Sequence, residues 1–221
     1  MDIKYNKQKR ELRDDPVMDF LFDAKDYLHK NQKKLLNLLV IVIVGFIAFI
    51  GINFYNKNNN IKIQNAFGTA MIEYETNQLV KAAENLKIIA DKHPGSPQGM
   101  QSAFLLAGLY LDSAKYDDAE KYYKISSKEK EFIGAQSYEG LGACYEAKGD
   151  VTAAIASYNK ALANPNAAYR HGAIRWKIAL LQKDSDKNMV IELCKKIMAD
   201  TNAIEHHQKA ENLLAVIEIG G

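Results

Sequence analysis

The apolar positions of this 221-residue chain follow two different patterns, one near the N-terminus and one in the remainder. Residues 35–56 contain no charged side chain and read LLNLLVIVIVGFIAFIGINFYN. A helix of about 20 such residues, rising about 1.5 Å per residue, spans a hydrocarbon core of about 30 Å. The run is longer than the apolar core of a signal peptide, and no A-x-A-like cleavage site follows it. We therefore predict a retained transmembrane helix over residues 35–55, in contact with membrane lipid.

Residues 1–34 are predicted to form a cytoplasmic arm ahead of this helix. Asp15 followed by Pro16 is typical of a helix start, and apolar residues then recur every three to four positions up to Leu28. This pattern predicts a short amphipathic helix, which either docks on a membrane partner or lies along the lipid headgroups. More lysines lie close before the apolar run than close after it, so the positive-inside rule places the N-terminus in the cytoplasm.

After a polar linker predicted at residues 56–62, the apolar pattern acquires a fixed period. Two tyrosines and an alanine recur at an interval of 35 residues, as the pairs Tyr110 and Tyr145, Ala119 and Ala154, and Tyr123 and Tyr158. Such a period indicates stacked copies of one supersecondary unit, in which each copy buries the apolar face of its neighbour. Residues 63–221 are therefore predicted to form a repeat domain.

The clearest unit covers residues 135–165. Its first helix carries a bulky residue, Leu-Gly and an aromatic, and its second carries two alanines around an aromatic and ends at a proline: Tyr138, Leu141, Gly142, Tyr145, Ala154, Tyr158, Ala161 and Pro165. Gly142 and Ala154 are small enough for the two helices to approach closely, and Gly149 permits the turn between them. This pattern resembles that of the tetratricopeptide repeat family.

The same resemblance extends to residues 100–126 and 64–94, and a degenerate fourth unit opens at about Arg170, with Trp176-Lys177 where Leu-Gly would stand. Residues 187–199 and 206–217 are predicted to be closing helices that shield the last apolar face. The predicted fold is all-α: a single N-terminal transmembrane helix, then a tetratricopeptide-type α-solenoid of about three to four helical hairpins with closing helices.

The tetratricopeptide resemblance implies a protein-binding groove, because the first helix of each hairpin lines the concave side in that family. With Ala135 as the first position of its unit, the second, fifth, ninth and twelfth positions face this groove. The predicted groove residues are Ile72, Glu75, Gln101, Phe104, Leu111, Gln136, Glu139 and Glu146. This mixture of apolar, amide and acidic side chains suits an extended or helical segment of a partner protein.

Packing within the domain is the competing interpretation for several of these residues. For Phe104 and Leu111, packing and partner binding are equally open, and Glu139 and Glu146 are expected to be solvated carboxylates. In the fourth unit the same positions form an apolar stripe, which we expect the closing helices to cover: Ile174, Ile178 and Leu181.

Composition narrows the range of functions. The net charge of +2 lies within residues 1–34, so the remainder is neutral and lacks the basic excess typical of nucleic-acid binding. Cys144 and Cys194 are too few for a disulfide framework and are predicted to be thiols packed within helices. His206 and His207 are adjacent, so on a helix they diverge by about 100° and do not readily share a metal. Without a nucleophile, phosphate-loop or metallohydrolase motif, we expect no catalysis, no cofactor and no nucleic-acid partner.

The complete arrangement resembles the YfgM-like family of bacterial inner-membrane proteins. The segment RELRDDPVMDFLFDAKDYLHKNQKK ahead of the apolar run and the repeats after it carry this resemblance. Members of that family are ancillary to the Sec translocon and link it to periplasmic chaperones. The resemblance implies a periplasmic repeat domain that meets translocon subunits, periplasmic chaperones or unfolded secretory proteins. A scaffold for another envelope assembly, in secretion, division or wall synthesis, is the alternative, and no motif separates the two.

Overall fold

The computed structural model describes residues 16–219, and this part of the chain is helical, with no strand. The helices are α1 (Pro16–Glu75), α2 (Leu79–Lys92), α3 (Pro97–Asp112), α4 (Tyr116–Ser126), α5 (Phe132–Ala147), α6 (Val151–Leu162), a 3-10 helix (Pro165–Arg170), α7 (His171–Gln182), α8 (Lys187–Met198) and α9 (Ile204–Ile219). The predicted cap Asp15 lies outside the described residues, and α1 begins at Pro16. The chain divides into two units between Asn60 and Ile61.

The first unit contains the apolar part of α1. Every side chain from 36 to 58 is exposed, and by length and composition α1 is able to cross a membrane. Residues 56–62, predicted to be a polar linker, are helical instead. No Gly or Pro interrupts the backbone hydrogen bonds in that segment, so the helix continues through its asparagines.

The second unit consists of four helical hairpins and one final helix. The end of α1 packs with α2 through a shared core that contains Ala70 and Leu86. The following hairpins are α3 with α4, α5 with α6 and α7 with α8, and α9 packs on the last of them. The predicted solenoid is confirmed, with one correction. The first predicted closing helix is the second helix of a fourth hairpin, so α9 alone closes the array.

Contacts between hairpins distinguish the first helices from the second helices. The first helices of successive hairpins touch directly, α3 with α5, and α7 likewise touches α9. Among the described residues, successive second helices make at most marginal contact with each other. The direct contact of α3 with α5 agrees with an array that curves with its first helices on the inner side, where the resemblance also places α1.

Glycines permit the close approach of neighbouring segments in the second and third hairpins. A Cβ atom on Gly142 would lie 2.3 Å from Cε1 of Tyr158, and Gly149 turns the chain with a φ of +78°. Two further glycines, Gly99 and Gly134, are 35 residues apart and have a role that the sequence analysis did not recognise. Their Cβ atoms would meet the carbonyl oxygen of the preceding loop at 1.7 Å and 1.9 Å respectively.

Ser102 and Ser137 occupy equivalent buried positions, but only Ser137 has hydrogen-bond partners. Its hydroxyl is bonded to Ser126 Oγ at 2.6 Å and to the carbonyl oxygen of Ile133 at 2.7 Å. Ser102 Oγ is buried and has no partner among the described residues. The repeat places Ala90 where the next unit has Ser126, which explains the missing bond.

This difference predicts opposite responses to the same substitution. Ser137→Ala should lower the free energy of unfolding by about 1 kcal/mol, because it removes two hydrogen bonds. Ser102→Ala should leave stability unchanged or raise it slightly, because it removes a buried hydroxyl that bonds to nothing. Thermal unfolding of the two variants side by side measures the difference, and equal losses would contradict the hydrogen-bond assignment.

Candidate protein-binding groove

The candidate groove is formed by the end of α1, α3 and α5, the first helices of the first three hairpins. The 3-10 helix Pro165–Arg170 contacts both α5 and α7 and separates them. Asn164 caps this helix by accepting a hydrogen bond from the backbone of Asn166 at 2.9 Å, and Pro165 occupies its first turn. The sequence analysis identified Pro165 as the end of a repeat but did not predict that the next residues close the groove.

The apolar residues predicted to line the groove differ in how much of their surface is free. Ile72 is 63% exposed, the most accessible of the three. Phe104 and Leu111 are half-buried and pack against the core shared by the first three hairpins. The ring of Phe104 meets Tyr123 edge to face, with centroids 6.1 Å apart. Phe104 and Leu111 therefore both support the core and present a remaining edge to the groove.

The predicted amides lie at the other ends of the same helices. Gln101 is exposed, and Gln136 is half-buried with its Nε2 atom 3.5 Å from the hydroxyl of Tyr169. Tyr169 stacks on Phe132 with centroids 5.7 Å apart, and both rings are exposed. Tyr169 belongs to the 3-10 helix and Phe132 begins α5, so this aromatic pair joins the 3-10 helix to the third hairpin. Neither ring was predicted, because no repeat position marks them.

Glu139 is not the solvated carboxylate that the sequence analysis expected. It is only 7% exposed, and Arg170 donates to it through Nη2 at 2.8 Å and Nε at 3.1 Å. Lys177 donates to the same carboxylate at 3.0 Å. Burial tends to raise the pKa of Glu139, but the hydrogen bonds and charges of Arg170 and Lys177 outweigh it and lower that pKa. This ion-pair cluster joins the third hairpin to the fourth and leaves Glu139 unavailable to a partner.

Glu75 and Glu146 are exposed at the ends of α1 and α5, as predicted. Glu146 also accepts a hydrogen bond from the buried Tyr158 hydroxyl at 2.8 Å. The pKa of Tyr158 is raised by burial, by this bond and by the charges of Glu146 and Glu139. Burial, with smaller contributions that include the charge of Asp112, similarly raises the pKa of Tyr123. Both phenols therefore remain neutral.

The apolar stripe of the fourth unit is buried, but by a different neighbour from the one predicted. Ile174 and Ile178 cluster mainly with residues of α6, including Tyr158, and only Leu193 of α8 joins them from beyond α7. Ala179 packs toward α8 instead. Ile178 and Ala179 thus occupy the places of Leu141 and Gly142, two residues later than Trp176-Lys177 suggested. The stripe belongs to the core and does not line the groove.

The remaining candidate groups have structural roles. Cys144 and Cys194 are free and buried as predicted, and burial raises the pKa of both thiols, that of Cys144 to about 11. The rings of His171 and His207 each bond a backbone carbonyl oxygen, at 3.2 Å and 2.9 Å. Among residues 16–219 no group of His, Cys, Asp or Glu is arranged to hold a metal ion.

Comparison with known proteins agrees with this architecture. Residues 63–183, more than half of the chain, match the model of the tetratricopeptide repeat-like domain. No curated protein matches the chain. Two crystal structures of nearly identical TPR-like repeats of a kinesin light chain from Podosopora anserina are similar to it, both at 16% identity, over 72% of this chain. They are matched over 93% and 94% of their own length, with TM-scores of 0.48 and 0.47.

Sequence identity of 16% does not show that this chain shares binding partners with those proteins. Tetratricopeptide-like repeats are typically non-enzymatic scaffolds that bind other proteins. The family match covers the first three hairpins and all of α7, and so includes the helices of the candidate groove. The chain therefore belongs to the tetratricopeptide repeat-like domain family.

Proposed function

We propose that the protein is a membrane-anchored module that holds a segment of another protein in the groove of α1, α3 and α5. The observation that carries this proposal is the free surface of three apolar side chains at repeat positions expected to face the groove, Ile72, Phe104 and Leu111, which we call the apolar strip. No described segment of the chain covers Ile72. Burying such side chains against a partner is favourable by about 25 cal/mol per Å² of apolar surface.

Membrane anchoring is supported by the fully exposed apolar stretch of α1. A helix that leaves this much apolar surface free needs lipid or another protein around it. We place it in a bacterial inner membrane with the N-terminus in the cytoplasm, as the lysine distribution favours.

A cysteine placed on each side of the apolar stretch tests this topology. After Cys144→Ala and Cys194→Ala, Asn58→Cys should react with a membrane-impermeant maleimide once the outer membrane is permeabilised. Lys30→Cys, the matched control, should react only after the inner membrane is broken. The reverse labelling order would place the repeats in the cytoplasm and contradict the proposed localisation.

The partner we propose is a periplasmic chaperone or a secretory protein near the Sec translocon. The arm and repeat arrangement that resembles the YfgM-like family supports this choice. Scaffolding of another cell-envelope assembly is the competing outcome. Identification of proteins that copurify from gently solubilised membranes distinguishes the two, because only the first predicts translocon subunits together with periplasmic folding factors.

The structure also indicates which groove residue to change in that experiment. Phe104→Glu or Leu111→Glu would place a charge against the core, so loss of binding would be confounded by unfolding. Ile72→Glu changes an exposed side chain, and Val80→Glu on α2 is a matched control because Val80 is 76% exposed outside the groove. We expect Ile72→Glu to deplete the copurifying proteins and Val80→Glu to retain them. Equal recovery with both variants would overturn the groove as the binding surface.

A further inference from the structure

The last turns of the helices differ systematically between the two rows of the array. Each second helix carries a lysine in its last turn, namely Lys92, Lys124, Lys160, and Lys195 with Lys196. The first helices α1, α3, α5 and α7 have no basic residue there. The three first helices that form the groove carry carboxylates in this turn: Glu75, Asp112 and Glu146.

This arrangement opposes helix stability at the ends of three first helices. Glu75 and Glu146 occupy equivalent repeat positions, and Asp112 follows the equivalent residue Leu111. The C-terminal end of a helix carries a partial negative charge, so a cation stabilises it and a carboxylate destabilises it. The second helices follow this rule, because each carries a lysine in its last turn. The first helices of the groove carry a carboxylate there instead. The ends of adjacent first helices lie along one edge of the groove, which we call the acidic edge (Glu75, Asp112 and Glu146).

Cations close in sequence do not neutralise the acidic edge, because they point elsewhere. Lys148, which directly follows α5, bonds Asp117 and Glu120 of α4. Lys115, between α3 and α4, has its Nζ 5.8 Å from the centroid of the Tyr110 ring. None of the three edge carboxylates forms a salt bridge with another described residue.

The acidic edge borders the apolar strip. Ile72 and Glu75 are three residues apart on α1 and share a face of that helix. Glu146 occupies on α5 the repeat position that Leu111 occupies on α3, and Asp112 directly follows Leu111, about 100° further around the helix. All three edge carboxylates belong to exposed residues. A ligand lying on the strip would therefore have carboxylates within reach of its own side chains.

We propose that the groove selects a segment combining apolar side chains with lysine or arginine. The apolar side chains of the bound segment contact Ile72, Phe104 and Leu111, and its lysine or arginine side chains lie along the acidic edge. This inference rests on the proposed function and specifies the chemistry of its partner. Acidic segments and free C-terminal carboxylates are disfavoured, because the same edge repels them.

Two fluorescent peptides test this selectivity on the full-length protein in phosphatidylcholine nanodiscs. Both have one core of leucine, phenylalanine and serine, flanked by lysines in the first peptide and by glutamates in the second. Fluorescence anisotropy should show tighter binding of the lysine peptide, and added salt should weaken that binding. Empty nanodiscs give the background due to lipid.

Charge-neutral variants locate the effect. The triple variant Glu75→Gln, Asp112→Asn and Glu146→Gln should bind the lysine peptide about tenfold more weakly, as expected for three exposed ion pairs. A control triple variant, Glu84→Gln, Asp184→Asn and Glu218→Gln, removes equal charge from exposed positions outside the edge and should bind normally. The amide oxygen introduced by Glu146→Gln can still accept the hydrogen bond from the Tyr158 hydroxyl. The edge variant should therefore unfold close to the wild-type temperature, so weaker binding is not explained by unfolding.

Other outcomes separate this inference from the proposed function. Equal affinity for the two peptides, with no change in the edge variant, would overturn the charge selectivity. If the Ile72→Glu variant then bound neither peptide, that result would still support the groove as the binding surface. Failure of both peptides to bind would overturn the inference, while Ile72-dependent copurification of a partner would leave the proposed function standing.

Discussion

Gly142→Ala is expected to destabilise the protein by about 1–3 kcal/mol, although alanine forms helices better than glycine does. The added methyl group would lie 2.3 Å from Cε1 of Tyr158. Tyr158 is fully buried and its hydroxyl is held by Glu146 at 2.8 Å, so the ring has little freedom to move away. The third hairpin would have to open to accept one extra carbon atom.

Gly68→Ala is the matched control for this prediction. Gly68 also lies within a helix, but nothing stands within 4 Å of its Cβ position. This variant should be more stable by up to about 1 kcal/mol, through helix propensity alone. Thermal unfolding followed by circular dichroism should shift in opposite directions, by about 2–4 °C per kcal/mol for a chain of this size. A stabilised Gly142→Ala would mean that α5 and α6 are not in such close contact.

Glu139→Gln is expected to lower the free energy of unfolding by about 2 kcal/mol at neutral pH. The change leaves Arg170 and Lys177 beside a neutral amide, and breaking a buried ion pair typically costs about 3–5 kcal/mol. The smaller value applies here because the side chains of Arg170 and Lys177 are 40% and 36% exposed and regain water. Glu131→Gln, which changes an exposed carboxylate nearby, should have little effect.

The contribution of Glu139 should also depend on pH. Its pKa is lower in the folded protein than in the unfolded chain. The stabilisation is therefore complete above the unfolded value of about 4.3 and is lost as the pH falls through the folded pKa. Denaturant unfolding of the wild type and Glu139→Gln should show a gap at neutral pH that closes in acid. A gap that persists in acid would show that the ion pairs do not cause it.

The hairpins could be predicted from the sequence because their contacts are local and repeated. Gly142 and Tyr158 are 16 residues apart, and the pattern that brings them together recurs at a fixed period. The repeat period did not predict the register of the fourth hairpin. It placed Trp176-Lys177 where Leu-Gly would stand, but Ile178 and Ala179 occupy those places, two residues later. The packing of Ile178 against α6 is visible only once the helices are assembled.

The fate of Glu139 could not be predicted for a related reason. Its partners Arg170 and Lys177 are 31 and 38 residues away, and one of them lies on a 3-10 helix outside the repeat pattern. The family pattern predicts a groove residue on the assumption that no neighbouring side chain covers it. Here the guanidinium group of Arg170 covers Glu139. Ile72 has the exposed surface that a groove position requires, because no described helix packs over it.

The most direct test of partner binding in the groove is photo-crosslinking from position 72 in intact cells. A photoreactive amino acid replaces Ile72 in one variant and Val80 in the other, since both side chains are exposed and lie on adjacent helices. Binding in the groove predicts discrete covalent adducts with other proteins from position 72 and few or none from position 80. Equal adducts from both positions, or none from position 72, would contradict the groove as the site where this protein holds its partner.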